Sequence, residues 1–130
     1  MMAGMPKKTL TFDTVREIGL ALPDVETGTA YGSPALKVHG RMFACVAVHS
    51  SAEPGSLVLR LDFDQRDELI AADPSVYYLT DHYVDYPAVL VRLARVSADA
   101  LRDLVRMAWK FESTQRPIRR VKRPAKPRRR

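Results

Sequence analysis

The chain has 130 residues, 21 Lys+Arg against 15 Asp+Glu, a net charge of +6 and a pI of ≈ 9.8. That length suits one domain, and 46% apolar with 28% charged residues is ordinary for a soluble globular protein. The single cysteine, Cys45, excludes an internal disulfide, and no stretch approaches the roughly 18 continuous apolar residues of a membrane span.

Residues 1–9 read as a disordered lead without the apolar stretch of a signal peptide, so the cytoplasm is the expected compartment. A helix is predicted from Phe12 to Leu22, with Thr11 as N-cap and Asp13 at the positive end of its dipole. Phe12, Val15, Ile18, Gly19 and Leu22 share one face, and Pro23-Asp24 stops it. Strands are predicted at Thr27–Tyr31, Ala35–His39, Met42–Val48 and Ser56–Leu61. Gly32-Ser33-Pro34, Gly40-Arg41 and a polar loop over His49–Gly55 separate them. These links are too short for helical crossovers, so the strands form an antiparallel meander. Met42–Val48 is apolar on both faces and reads as central, which makes Cys45 a small buried hydrophobe.

A second helix is predicted over Phe63–Ala72, with Asp62 capping, Gln65 in capping-box position and Asp73-Pro74 stopping it. Two more strands follow at Val76–Thr80 and Ala88–Ala94, separated by the polar aromatic segment Asp81–Pro87. The last helix runs over Ala98–Phe111 with Ser97 as N-cap. Leu101, Leu104, Val105 and Ala108 form its buried stripe, and Trp109 and Phe111 close over the core. The order is α–β–β–β–β–α–β–β–α. It predicts an α+β domain over 10–113, an antiparallel sheet of about five to six strands with its helices on one face.

The charge is unevenly placed. Residues 116–130 hold nine positive charges and no negative one, which leaves 12 basic and 15 acidic residues in 1–115, a net −3. The basic pI therefore belongs to a C-terminal segment, read as a disordered tail over 114–130 because prolines and like charges oppose helix there.

Several stretches occur together in order: Tyr31-Gly32-Ser33-Pro34-Ala35-Leu36-Lys37-Val38, Gly40-Arg41-Met42-Phe43-Ala44, Ala72-Asp73-Pro74, His82-Tyr83 and Tyr86-Pro87-Ala88-Val89-Leu90-Val91-Arg92-Leu93. On these the chain resembles the MmcQ/YjbR family of small bacterial proteins over roughly Leu10 to Phe111. The resemblance implies a YjbR/CyaY-like, double-wing fold and carries the family's DNA-binding label. The basic tail lies outside that pattern.

Three candidate sites follow. On the sheet face away from the helices, Lys37, His39, Arg60 and Arg92, with Tyr78, would contact phosphates and bases, although a solvated sheet face needs no such function. In the tail, Arg119, Arg120, Lys122, Arg123, Lys126, Arg128, Arg129 and Arg130 would follow a phosphate backbone without sequence preference. Around His82, the residues Tyr31 and Tyr86 would shape a pocket for a small ligand or a protein segment. His82 has carboxylates nearby at Asp81 and Asp85, but no nucleophile motif accompanies it. His39, His49 and His82 lack metal-ligand spacing. The expectation is a monomeric, non-enzymatic DNA-binding protein without metal or cofactor. RNA is the other nucleic-acid partner, and the alternative is a non-catalytic ligand- or protein-binding module.

Overall fold

A computed structural model describes residues 10–115, and the fold is built from local signals of three kinds. The first is helix capping. Thr11, Asp62 and Ser97 accept the N–H of Asp13, Gln65 and Ala100, which starts α1 (Phe12–Leu20), α2 (Phe63–Ala72) and α3 (Ala98–Ser113).

The second is the tight turn. Strands β1 (Val25–Ala30), β2 (Ser33–Val38) and β3 (Arg41–Val46) are joined by the two-residue loops Tyr31-Gly32 and His39-Gly40. All four loop residues have positive φ, at 55°, 78°, 53° and 79°, the pattern of a type I′ hairpin turn that matches the twist of the flanking strands. Each turn thus lies one residue earlier than the sequence suggested. The third signal is apolar alternation. Strands β4 (Ser56–Arg60), β5 (Tyr77–Tyr78) and β6 (Ala88–Arg92) complete an antiparallel sheet in the order β1-β2-β3-β4-β6-β5. The chain leaves the sheet after β4, forms α2, and returns so that β6 inserts between β4 and β5.

One face of this sheet carries Leu36, Val38, Phe43, Leu57, Leu59, Val89 and Val91 against the helices. The α3 stripe of Leu101, Leu104, Val105 and Ala108 is buried against them, as the 3.6-residue period predicts. Trp109 donates its indole N–H to the Pro23 carbonyl (2.9 Å) and ties α3 to the turn after α1. Burying a side chain such as Phe43 contributes about 1.5–3 kcal/mol, so this layer dominates stability. The opposite face holds a smaller apolar cluster of Ala35, Cys45, Val58, Ala88 and Leu90, all buried although no helix covers them. Loops cover it instead, and they form the site described next. Among the described residues, no helix is long and apolar enough to cross a membrane.

Candidate ligand-binding cavity

The helix-free face positions the site because alternation sends Cys45, Val58 and Ala88 outward from three adjacent strands, β3, β4 and β6. With Met42 they floor a cavity of ≈ 340 Å³. Its walls come from three connections: Tyr31 from the β1–β2 turn, Val48 and His49 from the β3–β4 loop, and His82, Tyr83 and Tyr86 from the β5–β6 loop. Val46 and Arg60, the last residues of β3 and β4, complete the lining.

The walls are pinned. The His49 and His82 rings stack with centroids 3.6 Å apart and planes within 11°. Tyr83 meets His82 edge-on at 4.8 Å, and Tyr86 lies 6.2 Å from it. The backbone N–H of Ser51 donates to His49 Nδ1 (3.1 Å), and the Ser51 hydroxyl lies 2.8 Å from the same atom. A backbone N–H can only donate, so Nδ1 is the acceptor, and the neutral ring carries its proton on Nε2. Ser51 Oγ also pairs with Thr80 Oγ1 (2.7 Å), which joins the β3–β4 loop to the segment before His82. From α2, the buried Arg66 donates through one terminal nitrogen to the carbonyls of Val84 and Tyr86 (both 2.9 Å), fixing the loop that carries Tyr86. Tyr31 projects freely, with 84% of its surface exposed.

The electrostatics centre on Arg60. Its Nε donates to Glu112 on α3 (3.1 Å), and Arg41 Nε donates to the other oxygen of the same carboxylate (2.6 Å). Glu112 is only 2% exposed. One carboxylate between two guanidinium groups leaves this trio with a net positive charge. Burial pushes the Cys45 thiol up to about 11, opposed by the Arg60 charge, so Cys45 is an uncharged part of the floor at neutral pH. The Tyr83 phenol is raised as well, first by burial and then by Cys45, which keeps it a neutral hydroxyl.

The predicted site residues are distributed unevenly. Tyr31, His82 and Tyr86 all line this cavity. Lys37 lies on the helix-free face, its stem packed over Gly28. His39 sits at the tip of a turn, not on the sheet, and its Nε2 is 3.3 Å from Asp24 Oδ2. Arg60 and Arg92 stand at opposite ends of β4 and its partner, since Arg60 opposes Ala88 and Arg92 opposes Ser56. Four residues of strand separate them, roughly 13 Å. Arg92 is held by a bidentate pair with Glu53 (2.9 and 2.7 Å), by the Pro74 and Ser75 carbonyls, and by the Tyr78 ring 4.1 Å beneath it. The basic residues Arg119, Arg120, Lys122, Arg123, Lys126, Arg128, Arg129 and Arg130 lie outside the described residues. No group of three or more His, Cys, Asp or Glu side chains suited to a metal occurs among the described residues.

Sequence reasoning did not assign His49, Tyr83, Cys45 or Arg60 to the pocket. His49 and Tyr83 carry no spacing signal, because the β3–β4 and β5–β6 loops meet only through the β4–β6–β5 strand order. Arg60 was legible as an outward residue but not as the partner of Glu112, which is 52 positions away.

The model of the family described as YjbR matches residues 20–111. The chain belongs to the YjbR family. The whole cavity of this YjbR domain lies inside the matched residues, and the basic segment lies beyond them. Uncharacterised proteins of Mycobacterium bovis and Mycobacterium tuberculosis are each 42% identical over 50 residues, 38% of this chain. The match spans 39% of the length of these relatives. The crystal structure of the Deinococcus radiodurans protein DR2400, a DUF419 domain, superposes with a TM-score of 0.69 at 23% identity. That match covers 85% of this chain and 84% of DR2400, and it shows a shared α+β fold.

Proposed function

We propose that the YjbR domain of this protein is a non-catalytic binding module for a small, largely apolar ligand held in the cavity around Tyr31, His82 and Tyr86. The observation that carries this reading is the cavity's construction: an apolar sheet floor beside the stacked His49 and His82 rings, on loops tied by the Ser51–Thr80 and Arg66–Tyr86 hydrogen bonds. Ligand sites are concave, mostly apolar and formed in advance, with a few placed polar groups. The placement of the basic side chains favours this over a phosphate-binding sheet surface, because Arg92 is committed to Glu53, His39 lies at a turn tip beside Asp24, and Arg60 lines the cavity itself. The experiment is a saturation-transfer NMR screen of ring-containing fragments against the full chain, repeated with His82→Ala and Tyr86→Ala. Hits that weaken at least about tenfold in both folded variants support the module. An absence of hits, or hits indifferent to both substitutions, removes it.

A second reading is favoured by one separate observation, the nine positive charges of residues 116–130. Here that segment anchors DNA nonspecifically, independently of the cavity. Nine neutralised phosphates give a log–log salt slope of about −8. A chain ending at Gln115 would then lose both the affinity and the slope. Equal binding and equal slope with and without the segment would refute this reading.

A further inference from the structure

We propose that the ligand of this cavity is a planar aromatic acid, with its anionic group on Arg60 and its ring against the His49–His82 stack. The inference rests on the binding-module reading and adds the chemical class of the ligand.

Charge complementarity carries it. Arg60 lines the cavity while its Nε is committed to Glu112. Among the described residues its two terminal nitrogens make no hydrogen bond. Those nitrogens form a flat edge that matches the two oxygens of a carboxylate or the oxygens of a phosphate. Glu112 cannot neutralise that edge, because it is shared with Arg41, and the three groups keep one unbalanced positive charge. None of the described carboxylates lines the cavity: Asp81 and Asp85 lie on the neighbouring loop but outside the lining. A cationic ligand would face Arg60 with nothing to offset it. An anion completes the arrangement.

The rest of the cavity selects the remainder of the ligand. His82 is perpendicular to Tyr83 and tilted against Tyr86, so aromatic rings border the apolar floor of Cys45, Val58 and Ala88. A volume of ≈ 340 Å³ lies at the small end for ligand pockets. It suits one ring system with a short acidic arm. Glu112 and Arg41 touch no ligand in this arrangement. They are positioning residues that hold the guanidinium of Arg60 in place.

The test compares matched pairs on the full chain: benzoate, indole-3-carboxylate and 2-naphthoate, each against its primary amide, by protein-observed NMR at fixed salt. The expected result is a preference for each acid of about tenfold or more, with shifts at Arg60 and His82. Arg60→Gln is expected to erase the preference while leaving the amides' weaker binding in place. Because the acid–amide comparison is made on the unaltered protein, it stands even if the variant misfolds. Equal binding of acids and amides in the cavity overturns the proposal and leaves the module reading intact. Acids that shift only signals of residues 116–130, or an unchanged preference in a folded Arg60→Gln protein, also overturn it. Failure of every probe to bind overturns both readings.

Discussion

Replacing Glu112 by glutamine removes one charge from the interior while keeping nearly the same shape. Glu112 accepts from Arg41 (2.6 Å) and Arg60 (3.1 Å), two charge-assisted bonds worth about 1.5–3 kcal/mol each. In the Glu112→Gln variant the amide oxygen can serve one guanidinium, but the amide nitrogen then faces the other. A fully buried pair broken this way would cost about 3–5 kcal/mol. Here the two arginine side chains remain 25% and 26% exposed, so water recovers part of the loss. The expected destabilisation is about 2 kcal/mol, a fall in Tm of roughly 10 °C for a domain of this size. Thermal unfolding by circular dichroism measures it, and the Nε–H resonances of Arg41 and Arg60 should lose their shift dispersion together. A change of less than about 2 °C, with both resonances in place, would refute the claim that Glu112 fixes Arg60.

Three further outcomes are expected. Gly19→Ala should destabilise by about 1 kcal/mol despite the better helix propensity of alanine, because the new methyl would lie 2.5 Å from Leu36 Cδ1 in the closed core; chemical denaturation measures it. Cys45 should resist a thiol reagent at pH 8 in the folded protein and react promptly in denaturant, since burial lifts the thiol to about 11. The hydrogen bond from Arg92 holds the Glu53 carboxyl below the ordinary carboxylate range, so its contribution is complete above the unfolded value and is lost as pH falls through the lowered folded one. Arg92→Ala should return the Glu53 titration, followed by NMR, to the ordinary range.

The parts of the fold that depend on neighbouring residues were legible in the sequence. Thr11, Asp62 and Ser97 cap the helices they were expected to cap, because a cap is a contact over two or three residues. The α3 stripe was legible for the same reason. The hairpin turns were displaced because their first residues are Tyr31 and His39 and not glycine, and non-glycine residues are uncommon at positive φ, so Gly32 and Gly40 drew the turns one residue too far along. That displacement put His39 on a strand when it tips a turn. In the cavity, Tyr31, His82 and Tyr86 were recognisable as an aromatic group. The His49–His82 stack and the Arg41–Glu112–Arg60 trio were not, since each joins segments brought together only by sheet order and by the end of α3. The family pattern in turn embraces the cavity and stops short of the basic segment, so the two proposed binding elements separate along the chain.

A crystal structure of the full chain soaked with the tightest-binding aromatic acid would locate the ligand directly. The expected position is the ring on the helix-free sheet face beside His82, above Cys45 and Val58, with the acid group on the terminal nitrogens of Arg60. An empty cavity beside a well-occupied ligand elsewhere on the protein would contradict it.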